Sequence, residues 1–179
     1  MRNGKEVVTD HGITIVYTGD GKGKTTAALG LCFRALGYGM KCAIVQFIKS
    51  NTSTGEYKFA ENTPLVEIHT MGDGFVYDPN DADAKAAAVA AWNKAKALIT
   101  DPKYDVIILD EITYAFKLNF LSVNELISVL SRRPASMSVV ITGRNCPQEI
   151  MDVVDLVTEM KMQKHPFNVG KKAVRGIDF

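Results

Sequence analysis

Cysteine is scarce and unpatterned in this chain. Three occur in 179 residues, Cys32, Cys42 and Cys146, each in or beside an apolar run. An odd, widely spaced set excludes a disulfide framework and offers no zinc-ligand spacing, so the three read as small buried hydrophobes in a reducing compartment. Net charge is nearly absent too: 21 lysines and arginines face 20 aspartates and glutamates, a formal balance of +1. That balance excludes a nucleic-acid coat or a membrane-surface protein held by bulk charge. Long apolar runs are missing, so no segment is expected to span a bilayer. The opening residues, Met1 to Glu6, lack an apolar stretch, so no secretory signal is expected and the chain reads as cytoplasmic. Histidine is rare, and His11 and His69 show no ligand spacing and read as structural. Internal repeats and low-complexity tracts are also lacking.

What is present is an ordinary apolar fraction, 46%, in a length that suits one domain with a substantial core, here residues 1–179. The first ten residues are polar and read as a flexible arm, and residues 163–179 as an irregular tail. Between them, short apolar runs alternate with helical patterns. Strands are expected at 13–17, 41–47, 66–70, 105–110, 138–142 and 156–160. Helices are expected from Lys24 to Leu36, stopped by Gly37 and Gly39, and from Asn80 to Thr100, with acids first and lysines last. A capping box, Ser122 to Glu125, opens another helix ending at Arg133, and Pro147 suits the first position of a helix through Val153. Residues 48–63 read as irregular with one helical turn near 55–60, and residues 71–79 as a glycine-rich loop. The alternation predicts an α/β fold: a doubly wound, mostly parallel sheet of about six strands of the P-loop nucleotide-binding (RecA-like) type, with ligands at the carboxyl ends of the strands.

The segment that carries chemistry is Thr18-Gly19-Asp20-Gly21-Lys22-Gly23-Lys24-Thr25-Thr26. It follows the apolar run Ile13 to Tyr17 and opens a helix, the context in which Gly-Lys-Thr marks a phosphate-binding loop. Glycines let backbone N–H groups curl around an anion, and the next helix aims its positive end at it. Lys24 supplies a cation for phosphate oxygens, and the Thr25 hydroxyl is placed to ligate Mg²⁺. The loop is a variant, because the first glycine of the usual spacing falls on Thr18 and Gly19 comes one position late.

A second motif, Val106-Ile107-Ile108-Leu109-Asp110-Glu111, puts acids at the carboxyl end of a buried strand. Nucleotide-binding folds keep their Mg²⁺ carboxylate there. Burying Asp110 unpartnered costs several kcal/mol by order of magnitude, so it needs a cation or donors. Glu111 is either a second metal contact or a general base for water. The two motifs together specify Mg-nucleotide binding and leave the bond to be broken open: hydrolase, kinase and non-catalytic switch share them.

The remaining motifs narrow this. The loop is followed by Val45-Gln46-Phe47-Ile48-Lys49, Met71-Gly72-Asp73-Gly74-Phe75, Leu109-Asp110-Glu111-Ile112-Thr113-Tyr114, Ile141-Thr142-Gly143-Arg144, Lys164-His165-Pro166-Phe167-Asn168-Val169-Gly170 and Gly176-Ile177-Asp178-Phe179. In that order they resemble the ATP:corrinoid adenosyltransferases of the CobA/BtuR type, from about residue 13 to the C-terminus.

The resemblance implies that a cobalt(I) corrinoid attacks the 5′ carbon of ATP, forming a cobalt–carbon bond and releasing triphosphate. The alternatives are a small P-loop Mg-NTPase or kinase and a nucleotide-dependent switch. By resemblance, Gly19, Asp20, Gly21, Lys22, Gly23, Lys24, Thr25, Thr26 and Arg34 bind ATP. Thr25, Asp110 and Glu111 hold Mg²⁺ or Mn²⁺. Phe75 and Tyr77 face the corrinoid, crowding the corrin's lower face so that its axial ligand leaves; the family's second aromatic is commonly tryptophan. Asp20 stands where the family often has asparagine. Arg34 either faces the nucleotide or is a solvated helix residue. Lys49, Arg144, Lys164 and His165 are candidates for ribose, phosphate or corrin contacts, with plain surface charge as the alternative. The resemblance further implies a homodimer and a reduced flavoprotein as electron donor.

Overall fold

Strands that are apolar on both faces must be covered on both sides, and this sheet is built that way. The computed structural model describes residues 11–50, 52–72, 74 and 78–178. The expected arm at residues 1–10 lies outside them, as do Phe75 and Tyr77. Among the described residues, β1 (Thr14–Thr18), β2 (Cys42–Gln46), β3 (Val66–Thr70), β4 (Val106–Asp110), β5 (Ser138–Thr142) and β6 (Leu156–Glu159) form one sheet. Its order is β3-β2-β4-β5-β1-β6, and every pair is parallel. The expected doubly wound P-loop architecture is therefore present, and its sheet is parallel throughout.

Between the strands run α1 (Lys24–Gly37), α2 (Gly55–Glu61), α3 (Ala82–Ile99), α4 (Thr113–Lys117), α5 (Val123–Ser131) and α6 (Gln148–Met151). Successive strand residues point to opposite faces, which divides the core in two. Ile15, Ile44, Ile108 and Val140 pack with Ala28, Cys32 and Ala35 of α1 on one face. Val16, Val45, Ile107, Leu109 and Ile141 pack with Trp92 and Leu98 of α3, Leu126 of α5 and Ile150 of α6 on the other. Each fully buried Ile or Leu contributes about 1.5–3 kcal/mol. The alanines of α3 at 84, 88, 91 and 95 form its buried stripe, small enough to let the helix lie close.

The helix starts follow the sequence. Thr54, Asp81 and Ser122 cap α2, α3 and α5 by accepting from backbone N–H groups, and each of those helices has an acid in its first turn. α4 has no counterpart among the expected helices, because five residues directly after a strand are too few to display a helical period. Pro147 is the cap residue of α6 and not its first helical one. The tail adopts a 3-10 turn at Pro166–Val169.

β6 is an edge strand, exposed along its whole length. Asp155, just before it, ties it to β1: one carboxylate oxygen accepts from the backbone N–H and the hydroxyl of Thr14, both at 2.7 Å. These donors hold Asp155 below the ordinary carboxylate range. A depressed folded-state pKa contributes stability above the unfolded value and loses it as pH falls through the folded one. Asp155→Ala should therefore lower the unfolding free energy near neutral pH by about 1 kcal/mol, allowing for the exposure of the pair. The gap between variant and wild type should close in strongly acid solution; a pH-independent gap in the melting midpoint would refute the charge-assisted account.

Candidate active site

α1 differs from the capped helices at its start. Its cap residue is Gly23, no side chain bonds its first N–H groups, and its first turn carries no acid. Those orphan donors and the helix dipole are left for an anion. The glycines ahead of it answer a steric demand from the chain just after β6. A side chain at Gly19 or Gly21 would meet the backbone of Met160 at 2.5 or 2.6 Å. Met160 also bonds the loop, donating to the Thr18 carbonyl at 2.8 Å and accepting from Gly21 N–H at 2.7 Å. Thr18, in place of the usual first glycine, is buried, and its hydroxyl accepts from Cys146 N–H at 3.2 Å. The shifted glycine thus exchanges a bend for an anchor onto the segment after β5.

Lys24 bridges the loop from inside, donating to the carbonyls of Gly19 at 2.8 Å and Gly21 at 2.7 Å. Burial and then the nearby Arg144 cation hold its ammonium below the ordinary lysine value, while Glu111, Asp20 and Asp110 offset part of that. A polyanion between Lys24 and Arg144 would remove the repulsion.

Asp110, 1% exposed at the end of β4, is the centre of the site. Its Oδ1 accepts from Thr25 at 2.8 Å and Thr142 at 2.7 Å, and its Oδ2 from Gln46 Nε2 at 3.3 Å. Lys49 Nζ stands 3.7 Å from Oδ2 and 3.0 Å from a Glu56 carboxylate oxygen. Burial works against charge on Lys49, but Asp110 and Glu56 outweigh it and hold the lysine above its ordinary value. Gln46 and Thr142 are not among the residues expected above. Their signal was the one that marked Asp110, a polar side chain ending an apolar strand. Gln46 Oε1 is buried with no hydrogen-bond partner, a state that costs about 1–3 kcal/mol.

Glu111 sits on a left-handed backbone, φ 64°, with its N–H donated to Thr142 Oγ1 at 2.9 Å. Such conformations cost about 1–3 kcal/mol and persist where surrounding contacts enforce them. Burial, then the adjacent Asp110 charge, push its carboxyl above the ordinary range, partly countered by Lys49, Lys24 and Arg144. Arg144 is carried by a tight junction: Thr113 Oγ1 donates to the Arg144 carbonyl at 2.7 Å, and Gly143 has φ 145°.

Beside this centre lies a cavity of about 910 Å³ at the carboxyl end of the sheet; Gly19, Gln46, Asp110 and Thr142 lie behind its wall. Asp20 to Thr26, Lys49, Glu111, Arg144 and His165 all face it. So do Tyr114 and Lys117 of α4, and an apolar end made by Leu29 and Phe33 of α1, Phe59 of α2 and Val66 of β3. Gly176 to Asp178 of the tail close over it, with Asp178 ion-paired to Lys22. Arg144 also lies 3.9 Å from Asp20, both exposed. Arg34 is exposed on α1 and Lys164 in the tail, and neither lines the cavity. His69, on β3, is near Glu67 and away from the site. The three cysteines are buried and unbridged. For a cation, Thr25 and Asp110 fit: both offer hard oxygen donors, already within 2.8 Å of each other, the chemistry Mg²⁺ or Mn²⁺ prefers.

The Gly143 junction gives a direct test. A Cβ there would lie 1.9 Å from Thr113 Oγ1, so Gly143→Ala should destabilise the protein by about 2–4 kcal/mol from overlap and backbone strain. Adding Thr113→Ala should recover part of that loss. Strictly additive changes in denaturant midpoints would mean the two residues do not interfere.

Comparison with known proteins gives the family. Residues 10–179 match the family model described as ATP:corrinoid adenosyltransferase BtuR/CobO/CobP. The corrinoid adenosyltransferase CobA of Salmonella typhimurium strain LT2 is 43% identical over 171 residues, covering 95% of this chain and 87% of that protein. The corrinoid adenosyltransferase of Escherichia coli K12 is 41% identical over 171 residues, with the same coverage of 95% and 87%. The crystal structure of the flagellar accessory protein FlaH from Methanocaldococcus jannaschii superposes with a TM-score of 0.57 at 16% identity, covering 83% of this chain and 71% of that one; this is a likeness of fold alone. With its phosphate loop, strand-end aspartate and sheet order in place, the chain belongs to the ATP:corrinoid adenosyltransferase family.

Proposed function

We propose that this protein transfers the 5′-deoxyadenosyl group of ATP to a cobalt(I) corrinoid and releases triphosphate intact. The observation that carries this is the phosphate loop, closed on Asp110 through Thr25, in a chain whose residues 10–179 match the adenosyltransferase family. The cobalt(I) electron pair forms the bond to C5′, the C5′–O bond breaks, and its pair leaves on the triphosphate oxygen. No proton moves at the reacting carbon, so the chemistry needs no protein base. It needs orientation and a stabilised leaving group.

The residues supply that. Gly19 to Thr26 wrap the triphosphate with the first turn of α1 and with backbone N–H groups other than that of Gly21, which Met160 takes. Lys24 and Arg144, whose charges repel each other, neutralise it together. Lys22 reaches it by giving up Asp178. Thr25, Asp110 and Glu111 would hold Mg²⁺ or Mn²⁺, which supplies positive charge against the departing triphosphate. Arg34, Lys49, Lys164 and His165 remain candidate contacts to ribose, phosphate or corrin edges. Phe75 and Tyr77 crowd the corrin's lower face, easing reduction of cobalt(II) by removing the axial donor. By family resemblance the protein is a single-domain homodimer fed by a reduced flavoprotein. A cytoplasmic setting is supported by three buried, unbridged cysteines. Among the described residues no helix is long and apolar enough to cross a membrane.

Incubation with ATP, Mg²⁺ and chemically reduced cobalamin should give the adenosylated cobalamin spectrum and one triphosphate per turnover. ADP and phosphate as the products, with or without corrinoid, would favour a P-loop NTPase instead. Lys24→Ala should reduce turnover by about two to three orders of magnitude, as expected for loss of a leaving-group cation. Phe75→Ala combined with Tyr77→Ala should slow the assay that starts from cobalt(II) and spare the one that starts from cobalt(I). Equal losses in both would make the rings structural.

A further inference from the structure

Asp110 presents two oxygens, and only one of them can serve the phosphate loop. Oδ1 is directed at Thr25, 2.8 Å away, and the rotation that puts it there is fixed from the other side of the carboxylate. Lys49 Nζ lies 3.7 Å from Oδ2 and Thr142 donates to Oδ1 at 2.7 Å; the hydrogen bond to Oδ2 comes from Gln46. Its side chain is 1% exposed, and Nε2 donates to Oδ2 at 3.3 Å. The amide's orientation is set by chemistry, since turning it over would bring a carbonyl oxygen against the carboxylate. Its own Oε1 is then left buried without a hydrogen-bond partner. A leucine or methionine at this place would fill the space between β2 and β4 with no orphaned acceptor. An amide there costs stability and returns only an aimed carboxylate.

We infer that Gln46 is a positioning residue for the cation site: it holds the Asp110 carboxylate so that Oδ1 faces the metal and Thr25. This rests on the metal assignment of Thr25 and Asp110 given above. Outer donors of this kind orient the groups that bind a metal, and losing one weakens metal affinity by about 10–100-fold.

The test is Gln46→Met, which keeps the shape of the side chain and removes its donor, with Gln46→Leu as the second variant should the first fold poorly. Electron paramagnetic resonance of Mn²⁺ titrated into protein with ATP reads cation affinity and site symmetry without turnover. The affinity of the folded variant for Mn²⁺ should fall at least tenfold, with a broadened spectrum, while ATP titrated without cation binds as in wild type. Undiminished Mn²⁺ affinity in both variants would overturn the proposal. So would equal losses of Mn²⁺ and cation-free ATP binding, which would make Gln46 a packing residue. If wild type itself binds no Mn²⁺ with ATP, the metal assignment falls, and the role of Gln46 falls with it.

Discussion

A buried carboxylate fixes the layout of this protein. Asp110 ends a strand that is apolar throughout, and its burial is offset by donors that converge on it from separate places in the chain. Thr25 comes from the start of α1, Gln46 from β2, Thr142 from β5, and Lys49 from the loop after β2. These groups meet at one edge because β2, β4 and β5 are neighbours in a parallel sheet and their carboxyl ends coincide. The phosphate loop is drawn to the same edge by Thr25. One electrostatic requirement thus sets the register of the loop, the ends of three strands and the position of the cavity.

The charges around that centre are balanced but unevenly placed. Lys24 and Arg144 raise each other's energy, Glu111 is pushed toward its neutral form, and Lys49 is held firmly charged between Asp110 and Glu56. A carboxyl raised in this way is no poorer as a base, so Glu111 does not separate hydrolysis from adenosyl transfer. What the site does supply is a set of cations, Lys22, Lys24 and Arg144, gathered around the phosphate loop. Their charge suits gripping a polyphosphate, including one that leaves.

Much of this was legible in the sequence. Ser138–Thr142 stands where its continuous apolar pattern puts it, because burial on both faces leaves such a signal, and the edge strand Val66–Thr70 stands where its alternation puts it. The capping box at Ser122 marks α5 for the same local reason. The loop and Asp110 were readable because their chemistry demands fixed residue types at fixed spacing. What escaped was long-range. Gln46 and Thr142 lie within the motifs Val45–Lys49 and Ile141–Arg144, but their bearing on Asp110 appears only when β2 and β5 flank β4. α4 is too short to have a period, and the apolar end of the cavity is drawn from residues that look like ordinary core. Asp178 reaches Lys22 across most of the chain, a pairing that spacing does not reveal.

The edge strand β6 has a role out of proportion to its size. Its four residues are all exposed, yet the chain directly after it, at Met160, supports Gly19 and Gly21 and takes up one N–H of the phosphate loop. Short, exposed edge strands are among the first elements to open locally. Nucleotide affinity and the fraying of this edge are therefore two faces of one equilibrium. Ligand that grips the loop slows exchange of the β6 amides, and anything that peels the edge away loosens the grip on phosphate without touching a single residue that contacts it.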